Sequence, residues 1–281
     1  MKTEQDNTTQ GLLKSERIVL GIEYDGSSYH GWQRQSHAAS VQSSLEEALS
    51  SVADQKIEVT CAGRTDTGVH ATSQVVHFDP TNIRPESAWL KGGNSLLPRS
   101  ISIRYALKLS EKFHARFSAT SRSYTYIIDN SLVRPAIMAQ GLTWYNKPLD
   151  VDKMDEACDF FLGEQDFTSF RSSRCQANSA NRCITNLSCR RLDNYVIIEI
   201  SANAFLHHMV RNIVGVLLEV GDGRRKSNWV KTIIDRKDRT KSGITAPAFG
   251  LYLVGVTYPE EFNLPIEPKA PMFLQQLLSI K

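Results

Sequence analysis

The amino-acid sequence predicts an α+β fold in which two tandem β-α-β-β-α-β (ferredoxin-like) units join into one broad, mostly antiparallel sheet, with helices on one side and a central cleft. Three observations support this prediction. Segments with strand and helix patterns occur in the same order in each half of the chain. The helical segments carry apolar residues at helical spacing, whereas the strand segments are short and rich in β-branched and aromatic residues. At 281 residues, the chain is long enough to bury a sizeable core in each half.

The first half contains the first copy of this order. Asp25-Gly26 ends the first strand, and Ser40 is a suitable N-cap for the first helix. Pro85 is expected to open a short second helix that includes Trp89 and Leu90. The apolar face of the first helix consists of Val41, Leu45, Ala48, Leu49 and Val52. The predicted strands are residues 18–24, 57–62, 69–78 and 101–107.

The second half repeats the order. A helix from Val151 to Leu162 is expected to end at Gly163, and Asp193-Asn194 is expected to turn the chain between two strands. A long apolar helix is predicted from about 203 to 220, followed by a shorter one near 229–234. The predicted strands are residues 123–128, 184–190, 195–200 and 251–256.

Composition is typical of a soluble globular protein, with 41% hydrophobic and 22% charged residues. The longest apolar runs, such as 213–218, are too short to cross a bilayer, and the N-terminal "MKTEQDNTTQGLLK" lacks the apolar centre of a secretion signal. The five cysteines show no CxxC spacing, so we expect reduced thiols, a cytoplasmic location and no membrane partner. A zinc site built from Cys175, Cys183 and Cys189 is the less favoured alternative.

Four segments are expected along the chain: a disordered N-terminal tail (1–14), an N-terminal α+β domain (15–112), a C-terminal α+β domain (113–260) and a C-terminal tail (261–281). The net charge is only +3, but the basic residues are clustered. Five arginines and no acidic residue lie between 171 and 191, and residues 224–226 read Arg-Arg-Lys. Such clusters suit a phosphate backbone, although a solvated surface explains most charge runs equally well.

The stretch "CAGRTDTGVHA" (61–71) places Arg64 and Asp66 in a tight turn between two predicted strands. Gly63 and Gly68 allow unusual backbone angles and the close approach of a ligand. Asp66 is therefore a candidate nucleophile on a short, rigid connection. The alternative is that its carboxylate accepts hydrogen bonds from N–H groups of its own turn, and turn chemistry alone favours that interpretation.

Arg211 lies within the long apolar helix, whose wide hydrophobic arc predicts burial. A buried guanidinium requires a carboxylate or several carbonyl partners, because an unpaired charge there costs several kcal/mol. Asp66 is a plausible partner, and the pair would keep Asp66 ionised, as a nucleophile requires. His207 and His208 are predicted on the same helix, with structural or RNA-facing roles favoured over metal binding.

Six motifs stand out between about residues 17 and 259: "LGIEYDGSSYHGWQRQ", "AGRTDTGVHA", "FHARFSATSRSYTYII", "GEQDFTSFRS", "NAFLHHMVRNIVG" and "GLYLVGV". In this order they closely resemble the tRNA pseudouridine synthase A (TruA) family. The resemblance implies an enzyme that isomerises uridines on the 3′ side of the tRNA anticodon stem-loop, at tRNA positions 38, 39 and 40. The glycosidic bond is broken, and C5 of the rotated uracil is joined to the sugar.

The same resemblance implies roles for individual residues. Asp66 would be the essential nucleophile, and Arg64 would occupy the space that the flipped base leaves. Tyr124 would pack on the target base, although Tyr126 shares its strand face and residue pattern alone does not separate the two. Arg211 would pair with the catalytic carboxylate, and Leu251 would form an apolar wall of the pocket.

Contacts with tRNA are implied by resemblance for Phe113, His114 and Arg116, and for segment 174–178, which includes Arg174 and Gln176. A homodimer that binds one tRNA across both subunits is also implied, and the apolar stretch "PMFLQQLLSI" is a candidate contributor.

No cofactor and no metal are expected, because the isomerisation involves neither redox change nor net hydrolysis, and the sequence contains no P-loop and no GxGxxG motif. The alternative is a non-catalytic tRNA-binding protein or RNA chaperone of the same fold. A metal-dependent nuclease would need clustered carboxylates, which the sequence does not display.

Overall fold

The computed structural model describes residues 17–265, 270, 271, 273 and 274. The predicted tail 1–14 and most of the predicted tail 261–281 lie outside the described residues. No helix in the described part of the chain is long and apolar enough to cross a membrane.

The first unit has the sheet order β4-β1-β3-β2, in which neighbouring strands are antiparallel. Ser40 caps its main helix: its hydroxyl accepts a hydrogen bond from the Ser43 N–H, so the sequence prediction is confirmed. The short helix predicted from Pro85 begins as a π-helical turn at Ala88–Gly92. The elements are β1 Arg17–Tyr24, α1 Val41–Ala53, β2 Thr60–Cys61, β3 His70–Phe78, α2 Gly93–Leu96 and β4 Ile101–Leu109.

The second unit has the order β10-β5-β9-β8, with β7 added at the edge and the short β6 beside β5. The two units therefore share one strand arrangement, as the repeated pattern predicts. The elements are β5 Ser121–Asp129, β6 Thr143–Trp144, α3 Val151–Cys158, β7 Gly163–Asp166, β8 Asn181–Leu192, β9 Tyr195–Ala202, α4 Met209–Gly221, α5 Trp229–Arg236 and β10 Leu251–Thr257.

The units are joined by a parallel pairing between β3 and β10, in which Tyr252 lies opposite His70 and Leu253 opposite Ala71. The far end of the same β3 edge pairs with β2, where Thr60 lies opposite His77. The edge of β3 is thus divided between two partner strands. The connection from β2 to β3 emerges at this fork, between the two halves of the sheet.

Both main helices lie on one face of the sheet. Leu45 of α1 and Ile213 of α4 belong to one large buried cluster with inward-facing strand residues such as Leu20 and Tyr126. The opposite face carries a smaller cluster that includes Ile127 and, from beyond residue 265, Leu274, which is fully buried. Residue 274, part of the apolar stretch considered for a dimer contact, packs on its own sheet.

The predicted start of the long helix, at about residue 203, is wrong. The helix begins at Met209, because His208 adopts a left-handed backbone conformation with φ of 64°. The strand predicted at 57–62 is also shorter, because the Ile57 and Val59 N–H groups donate to side chains of α1 rather than to a neighbouring strand. Residues 57–59 and 203–208 are therefore irregular rather than part of a strand or helix.

Candidate active site

The connection that carries Asp66, residues 62–69, is held at the fork by contacts from outside itself. The Ala62 carbonyl accepts a hydrogen bond from Arg122 at 3.0 Å. The buried side chain of Gln74 donates to the Gly63 carbonyl at 2.6 Å and accepts from the Gly63 N–H. The Tyr24 hydroxyl lies 2.8 Å from the Thr65 hydroxyl. Satisfied polar groups of this kind give the loop a fixed path.

The segment between β1 and α1 braces the loop from the other side. The Trp32 N–H donates to the Thr65 carbonyl at 3.0 Å. Gly31 has φ of 88°, and a Cβ atom there would lie 2.7 Å from the same carbonyl oxygen. A Cβ on Gly26 would lie 1.9 Å from the Val69 carbonyl oxygen. Glycine is required at both positions for this close approach.

Asp66 faces three basic side chains that the second unit contributes. Arg211 Nη1 donates to Oδ2 at 3.0 Å, so the predicted contact between these residues is present. His207 Nε2 lies 3.3 Å from Oδ1, and His208 Nε2 lies 3.4 Å from Oδ2. Among the described residues, no N–H group of the Asp66 turn donates to this carboxylate. The interpretation favoured by turn chemistry alone is therefore wrong here.

These neighbours keep Asp66 ionised. Burial alone would raise the pKa of this carboxyl group, but the hydrogen bond with His207 and the charges of His208 and Arg211 lower the pKa below its ordinary value. The side chain is 18% exposed, so solvent and a ligand can still reach it. A directed, accessible carboxylate can act as a nucleophile.

The left-handed conformation of His208 explains how both imidazoles reach the carboxylate. Residues 203–208 are irregular rather than helical, and α4 starts immediately after them. The His207 carbonyl accepts from the Ser172 N–H and the His207 N–H approaches the Cys175 sulfur, which ties this segment to the 171–180 loop. The two rings lie together, with centroids 4.0 Å apart.

Tyr124 and Tyr126 have different environments. Tyr126 is fully buried, and its hydroxyl bonds to Thr143 and to the Pro247 carbonyl. The Tyr124 hydroxyl instead lies 3.8 Å from the position that a Cβ atom of Gly63 would occupy. Tyr124 is 8% exposed and belongs to the same buried cluster as Tyr126, but it lies at the side of that cluster that faces the 62–69 loop.

Phe205 contacts Tyr124, and Leu251 lies next to a residue that pairs with the end of the 62–69 loop. The half-buried Phe205 ring packs edge-on against Tyr124, with centroids 5.1 Å apart. Leu251 is buried and precedes Tyr252, which pairs with His70 at the end of the 62–69 loop. Sequence reasoning missed Phe205, because the helix predicted over residues 203–220 placed it on a helical face.

Of the residues predicted to contact RNA, Arg64, Arg116, Arg174 and Gln176 have exposed side chains. His114 is half-buried, and its Nδ1 accepts from the N–H groups of Arg116 and Phe117, so it organises the turn. Arg122 also donates to the Arg116 carbonyl at 2.6 Å, which fixes this turn beside the 62–69 loop.

The prediction for Phe113 is wrong. Its side chain is fully buried against Tyr258 and Phe262, so it offers no surface to RNA. The exposed aromatic residue of the "FHARF" motif is Phe117, which is 75% exposed, stacks on His114 at 4.3 Å and lies beneath the Arg116 guanidinium. The motif contains two phenylalanines, and the sequence does not indicate which of them is buried.

The second basic cluster, residues 224–226, is partly neutralised. Arg224 bonds to Asp222 at 2.7 Å, and Arg225 lies 3.6 Å from Glu219 and over the Trp229 ring. In the first cluster, Arg171 donates to the Cys175 and Ala177 carbonyls and so shapes the loop that carries Arg174. At least part of the Arg171 guanidinium therefore supports the loop by bonding its carbonyl groups, a role that the charge pattern of the sequence did not indicate.

One group of side chains in the described part of the chain has ligand atoms close enough to hold a metal ion. It consists of Asp66, His207 and His208, whose ligand atoms lie within 4.8 Å of one another. Arg211 already pairs with the carboxylate of this group. The positive charge of Arg211 therefore already balances the charge of this carboxylate.

A family model described as tRNA pseudouridine synthase matches residues 21–118 and 157–259. A tRNA pseudouridine synthase A from Enterobacter sp. (strain 638) is 53% identical over 263 residues, covering 94% of this chain and 97% of its own length. The enzyme of that name from Tolumonas auensis is 55% identical, covering 92% of this chain and 98% of its own length. With the match spread over both units and the Asp66 loop, the chain belongs to the tRNA pseudouridine synthase family.

Proposed function

We propose that this protein isomerises uridine to pseudouridine in tRNA, with Asp66 as the nucleophile. The observation that carries the proposal is the ionised Asp66 carboxylate, which sits on a braced loop of one unit and is aligned by Arg211 of the other. A protein that only binds RNA has no need of an oriented carboxylate next to a half-buried guanidinium. Family membership supplies the substrate class.

The reaction needs a uracil outside its base stack, because a stacked base hides the atoms that must react. Tyr124 and Phe205 would form an aromatic surface for the extruded uracil, and a stack of this kind contributes about 1–3 kcal/mol. Leu251 would close the pocket on the apolar side. Arg64, exposed on the same loop, would occupy the vacated space, where its planar guanidinium can stack and donate hydrogen bonds.

Asp66 would act either by addition to C6 of the uracil or at the sugar carbon. In both routes the bond between N1 and the sugar breaks, the uracil rotates, and its C5 bonds to the same sugar carbon. The bond to Asp66 is then broken, the C5 proton is lost, and N1 takes up a proton in place of the sugar. Arg211 positions the carboxylate throughout. The atoms balance within the substrate, apart from the proton that is exchanged with solvent.

The finer substrate assignment is the 3′ side of the anticodon stem-loop, with Arg116, Arg174 and Gln176 on the RNA and a homodimer as the active form. It is supported by the motif resemblance and by the exposure of these three side chains. The turn of Arg116 adjoins the catalytic loop through Arg122, as a contact near the target nucleotide requires.

The decisive experiment maps pseudouridine in tRNA from cells with and without the protein, and in tRNA treated with purified Asp66→Asn. We expect anticodon-stem pseudouridine to depend on the protein. Asp66→Asn should lose at least a thousandfold in kcat, because catalytic groups that act as a unit have effects of this size, while tRNA binding is retained. Wild-type turnover by Asp66→Asn would refute the assignment. Unchanged tRNA affinity without any pseudouridine in the wild type would favour the non-catalytic alternative.

A further inference from the structure

The Asp66 carboxylate and the two imidazoles beside it form a compact set of metal-ligand groups. One ligand atom from each of Asp66, His207 and His208 lies within 4.8 Å of the others. We propose that these three residues bind a divalent transition metal such as Zn²⁺ and that the bound ion inhibits the enzyme. Inhibition rests on the proposed role of Asp66, whereas binding does not.

The spacing suits a tetrahedral ion. Zn²⁺ binds imidazole nitrogen and carboxylate oxygen at roughly 2.0–2.2 Å, which places neighbouring ligands of a regular tetrahedron about 3.3–3.6 Å apart. In the structure His207 Nε2 lies 3.3 Å from Oδ1 of Asp66 and His208 Nε2 lies 3.4 Å from Oδ2, so the His207–Oδ1 separation already fits one edge of the tetrahedron, whereas His208 must move towards Oδ1 to complete it. All three ligand atoms lie within 4.8 Å of one another, so side-chain rotation can bring them onto one ion.

The site is also open to solvent, which an exchangeable ion requires. The side chains of His207 and His208 are 36% and 31% exposed. Three protein ligands leave the fourth tetrahedral position for water, as in other open zinc sites.

The positive charge of Arg211 repels a metal ion that binds to the same carboxylate. The guanidinium is fixed on Oδ2 by the 3.0 Å bond and by donation of Nε to the Ala246 carbonyl at 2.8 Å, so the ion would bind Oδ1 and replace the contact of Oδ1 with His207. The repulsion should make the ion weaker-bound and more readily removed than a structural zinc. This predicts reversible inhibition rather than a resident metal.

The ligand set selects the metal. Imidazole nitrogen favours Zn²⁺, Ni²⁺ and Co²⁺, whereas Mg²⁺ prefers oxygen ligands and keeps its water. The Mg²⁺ that accompanies RNA should therefore leave the site empty. Zn²⁺ should occupy it and withdraw the carboxylate from the reaction.

Direct binding is tested first on metal-free protein without RNA, by calorimetric titration with Zn²⁺ and by the visible absorption of added Co²⁺. We expect one ion per wild-type chain and an affinity at least tenfold lower in His207→Ala and in His208→Ala. His37→Ala, which removes an exposed histidine elsewhere, should bind like the wild type. No stoichiometric binding, or unchanged binding in both site variants, would overturn the proposal.

Cys175 is the main competing ligand, because its sulfur lies 3.5 Å from the His207 backbone nitrogen. Cys175→Ser should keep the wild-type affinity. If Cys175→Ser loses Zn²⁺ while His208→Ala keeps it, the ion belongs to a cysteine site and the proposal is wrong.

Activity is tested second. Zn²⁺ should abolish pseudouridine formation, a chelator should restore it, and an excess of Mg²⁺ should not inhibit. A wild type that makes no pseudouridine at all would count against the proposed function and leave the binding titration to decide this inference.

If the histidine variants do not fold, anomalous scattering from wild-type crystals grown with Zn²⁺ locates the ion directly. An ion between Asp66 and the two imidazoles supports the site, and an ion placed elsewhere refutes it.

Discussion

The same topological connection is built in two ways in the two units. In the second unit, β8 and β9 are joined by Asp193 and Asn194, and residues 192 and 195 already pair. In the first unit, the equivalent connection from β2 to β3 is eight residues long and carries Asp66. The tight turn completes an ordinary antiparallel pair, whereas the long connection leaves part of the β3 edge free for β10.

The two connections also differ in what holds them. The flanking ladder positions the turn at 193–194. The 62–69 loop depends on distant side chains, including Arg122, Gln74 and Tyr24. A loop supported in this way presents its side chains rigidly, but a single change far along the chain can displace it. Changes that affect its supports should therefore lower activity much more than changes at the other turn.

Among changes to the residues that hold Asp66 and its loop, the largest effect is expected from Arg211→Ala. Loss of the guanidinium leaves Asp66 without its direct charged partner and raises the carboxyl pKa toward the value that burial favours. We expect kcat/KM on tRNA to fall at least a hundredfold and stability to fall by about 1–3 kcal/mol in urea unfolding. Arg211→Lys should recover only part of the activity, because one ammonium cannot reproduce the two-sided contact with Asp66 and Ala246. Activity of Arg211→Ala within twofold of wild type would show that the pair is not needed.

Gly31→Ala tests the brace on the other side of the loop. The added Cβ would meet the Thr65 carbonyl oxygen at 2.7 Å, at a residue whose φ is 88°. Gly163→Ala is a matched control, because Gly163 has φ of 86° with no atom within 4 Å of the added Cβ. Each variant should lose about 1–2 kcal/mol of stability through backbone strain.

Only Gly31→Ala should also lose about tenfold or more in kcat, because a small misplacement of a catalytic group is costly. The measurement is kcat on tRNA alongside thermal unfolding of both variants. Equal kcat values for the two would mean that the brace does not position Asp66.

The sequence predicted the order of elements and the contact between Asp66 and Arg211, because periodicity and the cost of a buried charge are local arguments. It did not predict the division of the β3 edge between β2 and β10, which depends on pairing between strands far apart in the chain. The left-handed His208 was also missed, since a histidine in an apolar pattern carries no signal for positive φ. That one backbone angle decides where both imidazoles lie.

His77 offers a smaller, pH-dependent test at the end of β3 that pairs with β2. Burial, with the charge of Arg17, lowers the pKa of His77 to about 4, and its Nδ1 accepts from the Ala115 N–H at 3.1 Å. The unfolded state binds the proton more readily. The contribution of neutral His77 to the free energy of unfolding is therefore fully present above about pH 6.5. It is lost as the pH falls towards 4, which lowers the stability by up to about 3 kcal/mol.

His77→Asn keeps an acceptor and removes the titration, so its melting temperature should vary less with pH over this range than that of the wild type. His37→Asn, at an exposed position, should retain the wild-type pH dependence. If the melting temperature of His77→Asn falls with decreasing pH as steeply as that of the wild type, other groups cause the acid sensitivity.

The smallest effect is expected at the turn of the second unit. Asp193 is exposed and adopts φ of 50°, a conformation that glycine reaches without the cost of a side chain. Asp193→Gly relieves this cost but gives the unfolded chain more freedom, so we expect stability within about 0.5 kcal/mol of wild type and kcat on tRNA within twofold. A fivefold loss of activity would mean that this turn also positions the site, and the contrast between the two connections would fail. Unchanged activity would show that only the long connection is coupled to catalysis, although both occupy the same place in their units.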